Sequence, residues 1–115
     1  VVEATSLRRL ALPEGRISDA GAEALAHVVE NTQSLNQILL WENKIGDAGA
    51  AAFARALARN SNLKDLSLGF NLIGLMGQRA LEEVHEAKKQ KGDELDLDVN
   101  GQRREEQDIR PHAMA

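Results

Sequence analysis

LNQILLWENKIGDAG, residues 35–49, sets the pattern of the whole 115-residue chain. Three apolar residues, an Asn, an Ile and a helix start recur before and after it at a fixed distance. Leu7, Leu35 and Leu63 stand 28 apart, as do Leu12, Leu40 and Leu68, Ile17, Ile45 and Ile73, and Gly21, Gly49 and Gly77. A period of this length signals stacked units, each burying its apolar side only against its neighbours.

Within a unit the order reads short strand, turn, helix, return loop. Alternating apolar residues predict strands at 10–12, 38–40 and 66–68. Asn43 and Asn71 follow the second and third, where a side-chain amide can pair the turn backbone and stack on the next rung; the first unit has Gly15 there. Ser18-Asp19 and Gly46-Asp47 read as helix starts capped by their own side chains, whereas Gly74-Leu75 leaves the third less well capped. Helical spacing predicts one inward face: Gly21, Ala24, Leu25 and Val28, repeated as Gly49, Ala52, Phe53 and Ala56, then as Gly77, Ala80, Leu81 and Val84. His85 falls where Val29 and Leu57 sit and is expected to be half-buried. A fourth, degenerate unit keeps Leu95, Leu97 and Asn100 but is displaced by 29 rather than 28, which lengthens the third helix to about Lys89, before Gly92. The repeat domain is thus expected over 1–101, with 102–115 as a cap or disordered tail.

Composition bounds the work such a chain does. With 43% hydrophobic and 28% charged residues it is an ordinary globular sequence, yet it has only two Phe, one Trp and no Tyr. The formal charge of −4 argues against a nucleic-acid or anionic-membrane surface, and Lys88, Lys89 and Lys91 follow Glu82, Glu83 and Glu86 as a mixed helix end. No cysteine is present, which removes disulfides, thiolate catalysis and Cys-ligated metals. No run reaches membrane-span length and no signal peptide opens the chain, so the default compartment is the cytoplasm. A start at Val1 rather than Met suggests a piece of something longer.

The stretch from Leu35 through Asn71-Leu72-Ile73-Gly74 resembles the ribonuclease-inhibitor-like class of leucine-rich repeats, found in ribonuclease inhibitor, NOD-like receptors and Ran GTPase-activating protein. That resemblance covers roughly 7–101 and implies an α/β fold: a right-handed leucine-rich repeat solenoid of about three and a half 28-residue repeats, strands concave and helices convex. Strand spacing of about 4.8 Å against helix spacing of about 8–10 Å bends the stack the same way. The first strand would be left with an open edge, either continued by more chain, the preferred reading, or paired with another copy.

Function in such a stack belongs to outward positions on and just after the strands. They are Arg9, Ala11, Pro13 and Glu14; Gln37, Leu39, Trp41 and Glu42; Asp65, Ser67, Gly69 and Phe70; Glu94, Asp96, Asp98 and Val99. Trp41, the single Trp, is the first choice as a partner contact, since exposed aromatics carry interface energy. The competing reading packs it across the rim on Phe70 or Pro13. Leu39 and Phe70 would extend an apolar patch, and Glu42, Asp96 and Asp98 would add charge. Aromatic residues at this phase contact ligand in ribonuclease inhibitor, which supports Trp41 by analogy.

Two chemical readings compete with binding. Residues 96–101, DLDVNG, match the opening of a calcium loop, but the eighth position is Arg103 and the twelfth Gln107, so an acidic strand edge is preferred. His27, His85 and His112 have no metal-ligand spacing, and no Gly-rich phosphate loop precedes a helix. The expectation is therefore a non-enzymatic protein-interaction module without cofactor or metal, its partner a protein. A regulator of a small GTPase of the Ran-activating type, or a C-terminal capping segment without its own ligand, are the alternatives.

Overall fold

A computed structural model describes residues 7–104; the expected lead-in before Leu7 and the sequence after Arg104 lie outside the described residues. The order is β1 (Arg9–Ala11), α1 (Asp19–Asn31), β2 (Gln37–Leu39), α2 (Asp47–Arg59), β3 (Asp65–Ser67), α3 (Leu75–Gln90) and β4 (Asp96–Asp98). The strands form one parallel sheet in sequence order. Its register aligns Leu10 with Ile38, Ile38 with Leu66, and Leu66 with Leu97, so the step is 28 residues twice and 31 at the last, not the 29 expected from placing Leu95 on Leu66. Strands start one residue earlier than the apolar pattern predicts. Pairing nevertheless continues past them, with Leu12, Leu40 and Leu68 amides donating to Leu39, Ser67 and Asp98 carbonyls.

Between sheet and helices lies a core of aliphatic residues around Phe53, including Ile38, Leu40, Leu57, Leu63, Leu66, Leu68 and Leu81. Close approach of successive helices requires glycine at the first helical turn. A Cβ on Gly49 would come within 2.7 Å of both Ala22 Cβ and Ile45 Cγ2. The inward face of α2 is the expected one, and α1 buries Ala22, Ala26 and Val29 as α2 buries Ala50, Ala54 and Leu57, but its other flank is open: Ala24 is exposed and Val28 is 47% exposed. Positions 24 and 28 correspond to Ala52 and Ala56, which α2 buries in the groove it shares with α1. Among the described residues α1 has no preceding helix to cover them.

Three polar ladders tie the units together, and each connects backbone to the neighbouring rung's side chain. Asn43 Nδ2 donates to Leu12 and Leu40 carbonyls at 2.8 and 3.0 Å, and its Oδ1 accepts from Ile17 at 3.1 Å. Asn71 repeats this with Leu40, Leu68 and Ile45. The asparagines therefore bridge rungs through the backbone rather than by stacking amide on amide. Gly15 needs no side chain, because a Cβ there would meet Asn43 Oδ1 at 2.8 Å. In the last unit Gln102, not Asn100, takes this part: its Oε1 accepts from Ile73 at 2.9 Å and its Nε2 donates to Leu68 and Val99 carbonyls. Asn100 is exposed.

Helix starts are capped across units. Ser18, Gly46 and Gly74 make no side-chain cap of their own. Instead Asp19 Oδ1 accepts from Gly46 and Gly49 amides at 2.7 and 2.9 Å, and Asp47 Oδ1 from Gly74 and Gly77 at 2.7 and 3.0 Å. The third helix is thus well capped, contrary to its Gly-Leu start, because the unit before it supplies the carboxylate. Asp47→Ala should accordingly cost about 1–2 kcal/mol in urea unfolding and speed amide exchange at Gly77, leaving the first turn of α2 unaffected. Faster exchange in α2 instead would restore the within-helix cap.

At the opposite helix ends a third ladder runs through residues 28 apart. Asn60 Nδ2 donates to the Thr32 carbonyl at 2.8 Å, and Lys88 Nζ to the Asn60 carbonyl at 2.9 Å. Lys88 is buried and also pairs with Asp93 Oδ2 at 2.9 Å, which holds that carboxyl far below the usual carboxylate range. Gly92, at φ 78°, ends α3 in the left-handed conformation, with Asp93 and Gly92 amides returning to Lys88 and Lys89 carbonyls. His85 is half-buried as expected, its Nε2 donating to the Leu95 carbonyl at 2.9 Å.

Candidate functional site

The sheet register converts the outward positions into rows that cross the concave face. One row runs Arg9, Gln37, Asp65, Asp96 and another Ala11, Leu39, Ser67, Asp98. Beyond the strands the rows persist: Glu14, Glu42 and Phe70 amides donate to Trp41, Gly69 and Asn100 carbonyls. Trp41 therefore occupies the rung between Pro13 and Gly69 and is half-buried. Its neighbour Gly69 is buried, a Cβ there meeting the Asn100 carbonyl at 3.1 Å and the Asp98 carboxylate at 3.6 Å.

Leu39 corrects the expected apolar patch. It is 8% exposed, too covered to offer a contact surface, though it stands apart from the main core. Side chains converge on the concave side of a curved sheet, so a medium-sized Leu is hidden by the longer Gln37 and Trp41 two residues either way. Ser67 is buried in the same row. Phe70, by contrast, is 50% exposed, and its ring lies so close over Gly101 that a Cβ there would overlap it. Trp41 and Phe70 are thus the accessible aromatics of the face, and both sit at the rim after the strands.

Each unit places one residue with positive φ at that rim: Glu14 at 53°, Glu42 at 61°, Phe70 at 56° and Gly101 at 70°. The turn's geometry demands the conformation, and three of the four positions meet it without glycine, at a cost of order 1 kcal/mol each. Glu42 is exposed beside Trp41.

Charge is graded along the face. Arg9 stands at one end, while the other carries Asp65, Asp96 and Asp98. Asp65 accepts from Gln37 Nε2 at 2.7 Å, and Asp98 accepts from its own loop at the Asn100 amide, 3.0 Å away, leaving Asp96 the most exposed of the three. No group of three or more His, Asp or Glu with metal-binding geometry occurs among the described residues, and Gln107 and His112 lie outside them. One residue at the rim, Arg103, was not legible in the sequence as part of the face. Arg103 donates from Nε to the Phe70 carbonyl at 2.8 Å and from its guanidinium to the Asn43 carbonyl, lashing the turns of the second and third units to the last. Its signal is absent because the side chain reaches back 60 residues, outside the 28-residue period.

A parallel sheet of three-residue strands lined by helices at a fixed period defines a leucine-rich repeat solenoid. Comparison with known proteins agrees: a family model described as Leucine Rich repeat matches residues 3–26 and 40–54. A solved structure titled "Leiomodin-1 Actin-Binding Site 2 (ABS2)" is similar with TM-score 0.66 and 24% identity, covering 96% of this chain and 61% of that one. The likeness is one of fold, and this chain spans less than two thirds of that structure's length. No curated protein matches the sequence. Among the described residues no helix is long and apolar enough to cross a membrane.

Proposed function

We propose that the chain is a non-catalytic protein-binding module of the ribonuclease-inhibitor-like class, engaging a protein partner in the cytoplasm through its concave face and rim. The observation that carries this reading is Trp41, half-buried and therefore held in place, with a glycine on the adjacent rung and Phe70 half-exposed at the same rim. A partly buried aromatic held in place needs little ordering on binding, which is what makes Trp an anchor. Glu42, Asp96 and Asp98 supply charge around it, so the fitting partner offers an apolar patch flanked by Lys or Arg.

Affinity capture with the chain and with its Trp41→Ala variant, both checked for fold by circular dichroism, tests the proposal. Loss of about 2 kcal/mol, roughly a 30-fold weaker complex, is expected for the variant. Capture that is unaffected by the substitution would sink the role of Trp41. Actin is a reasonable first purified probe, since the solved structure of similar fold is an actin-binding site by its title. Stimulated GTP hydrolysis by a small GTPase on adding the chain would instead favour the regulator reading.

A further inference from the structure

Residues 96–101, DLDVNG, end in the only Asn-Gly pair of the sequence; the other six asparagines each precede a residue with a side chain. The fold needs this glycine, since Gly101 lies at φ 70° and a Cβ there would overlap the Phe70 ring. It leaves the asparagine idle. Asn100 is exposed, Gln102 takes the bridging part that Asn43 and Asn71 play, and among the described residues the Asn100 side-chain amide holds no hydrogen bond. Nor does the Gly101 N–H find an acceptor among them. Asn43 and Asn71 are the contrast. Both are buried, carbonyls hold their Nδ2 groups, and the amides that follow, those of Lys44 and Leu72, donate to Ile17 and Ile45 carbonyls at 2.8 Å.

We propose that Asn100-Gly101 is a self-modifying site, at which the chain deamidates without an enzyme and forms an isoaspartate that loosens the clasp of the last turn. The Gly101 nitrogen gives up its proton to solvent base and attacks Asn100 Cγ, unhindered by any Cβ of its own residue. The Cγ–Nδ2 bond breaks, and Nδ2 leaves as ammonia with a proton from water. The cyclic imide then takes up water. Opening at Cγ leaves an ordinary aspartyl residue, whereas opening at the main-chain carbonyl leaves isoaspartate, the chain now running through Cβ and Cγ. The sum is amide plus water to carboxylate plus ammonium. Isoaspartate matters because of what this turn holds. The Asn100 carbonyl, which accepts from the Phe70 amide at 2.9 Å, becomes a free carboxylate. Gly101 and the residues after it are carried one methylene farther: Gln102, which accepts from Ile73 and donates to Leu68 and Val99, and Arg103, which ties the Phe70 and Asn43 carbonyls. Either product also adds negative charge beside Asp98, in the row of Trp41 and Gly69. The chemistry stands apart from the Trp41 reading, and either can fail alone.

The test incubates the full chain in warm, mildly alkaline buffer, folded and in urea, and follows each asparagine by peptide mapping with mass spectrometry, resolving aspartyl from isoaspartyl products by chromatography. Asn100 should convert about tenfold or more faster than any other asparagine, mostly to isoaspartate. The folded rate should lie within about threefold of the rate in urea, because an exposed turn side chain gains little protection from the fold. In the purified isoaspartyl form the Ile73 amide, which Gln102 shields, should exchange about tenfold or more faster than in the parent. Asn100→Asp adds the charge without the extra methylene and should leave that exchange as it was. Conversion confined to urea, conversion no faster than at the other asparagines, or an isoaspartyl form with the parent's exchange at Ile73 would overturn the proposal. So would Asn100→Asp speeding Ile73 as much as isoaspartate does.

Discussion

Asn71→Ala should lose about 3–5 kcal/mol of stability, enough to bring a domain of ordinary stability close to unfolding. The side chain is fully buried and joins four backbone groups: Oδ1 accepts from Ile45, while Nδ2 donates to Leu40, Leu68 and Gly69 carbonyls. Alanine removes all four bonds and leaves no polar atom in their place. Desolvated peptide groups without partners cost about 1–3 kcal/mol each, and some inward movement of water or backbone keeps the sum below the full total. Urea unfolding followed by circular dichroism measures the loss. Asn100→Ala is the internal control, because that side chain is exposed and should change stability by less than about 0.5 kcal/mol. Equal effects of the two substitutions would mean that the ladder ends at Asn100 rather than Gln102.

Phe53→Ala should be comparably damaging, at about 3–5 kcal/mol, for a different reason. Phe53 is the largest fully buried side chain and sits on the middle helix, with α1 on one side and α3 on the other. Truncation leaves a cavity that neither flanking helix can close without giving up its own contacts. The corresponding residues of the outer helices grade the effect. Leu81 is fully buried and should cost about 2–4 kcal/mol on replacement by Ala, whereas half-buried Leu25 should cost about 1–2 kcal/mol. Leu25→Ala as costly as Leu81→Ala would show that the first unit is as well covered as the last.

Periodicity made the architecture readable through Leu10, Ile38 and Leu66, but it set Leu95 beside Leu66 where the sheet sets Leu97. It was less informative about who bonds to whom. Asp19 and Asp47 looked like caps for their own helices because spacing along the chain is visible and spacing across the stack is not. The same blindness hid Gln102, which serves an asparagine's role from a position two residues later, with a side chain one methylene longer. Trp41 could be placed on the rim from strand alternation, but Phe70, which shares the inward parity of Leu66 and Leu68 and is turned out at positive φ, could not, nor could the burial of Leu39. Curvature decides it, and curvature belongs to the whole sheet.

The cross-unit bonds also set how this chain finds its fold. Those of the asparagine and aspartate ladders to the adjoining unit span 26 to 31 residues, because each reaches one rung and no further. The loop that must close before a contact forms is therefore the length of a unit, not of the chain, and its entropic cost does not grow as units are added. Folding speed is then a property of the single rung and its neighbour, while resistance to unfolding accumulates along the stack. Arg103, spanning 60 residues, is the exception, a late clasp that can form only after three units are already in register.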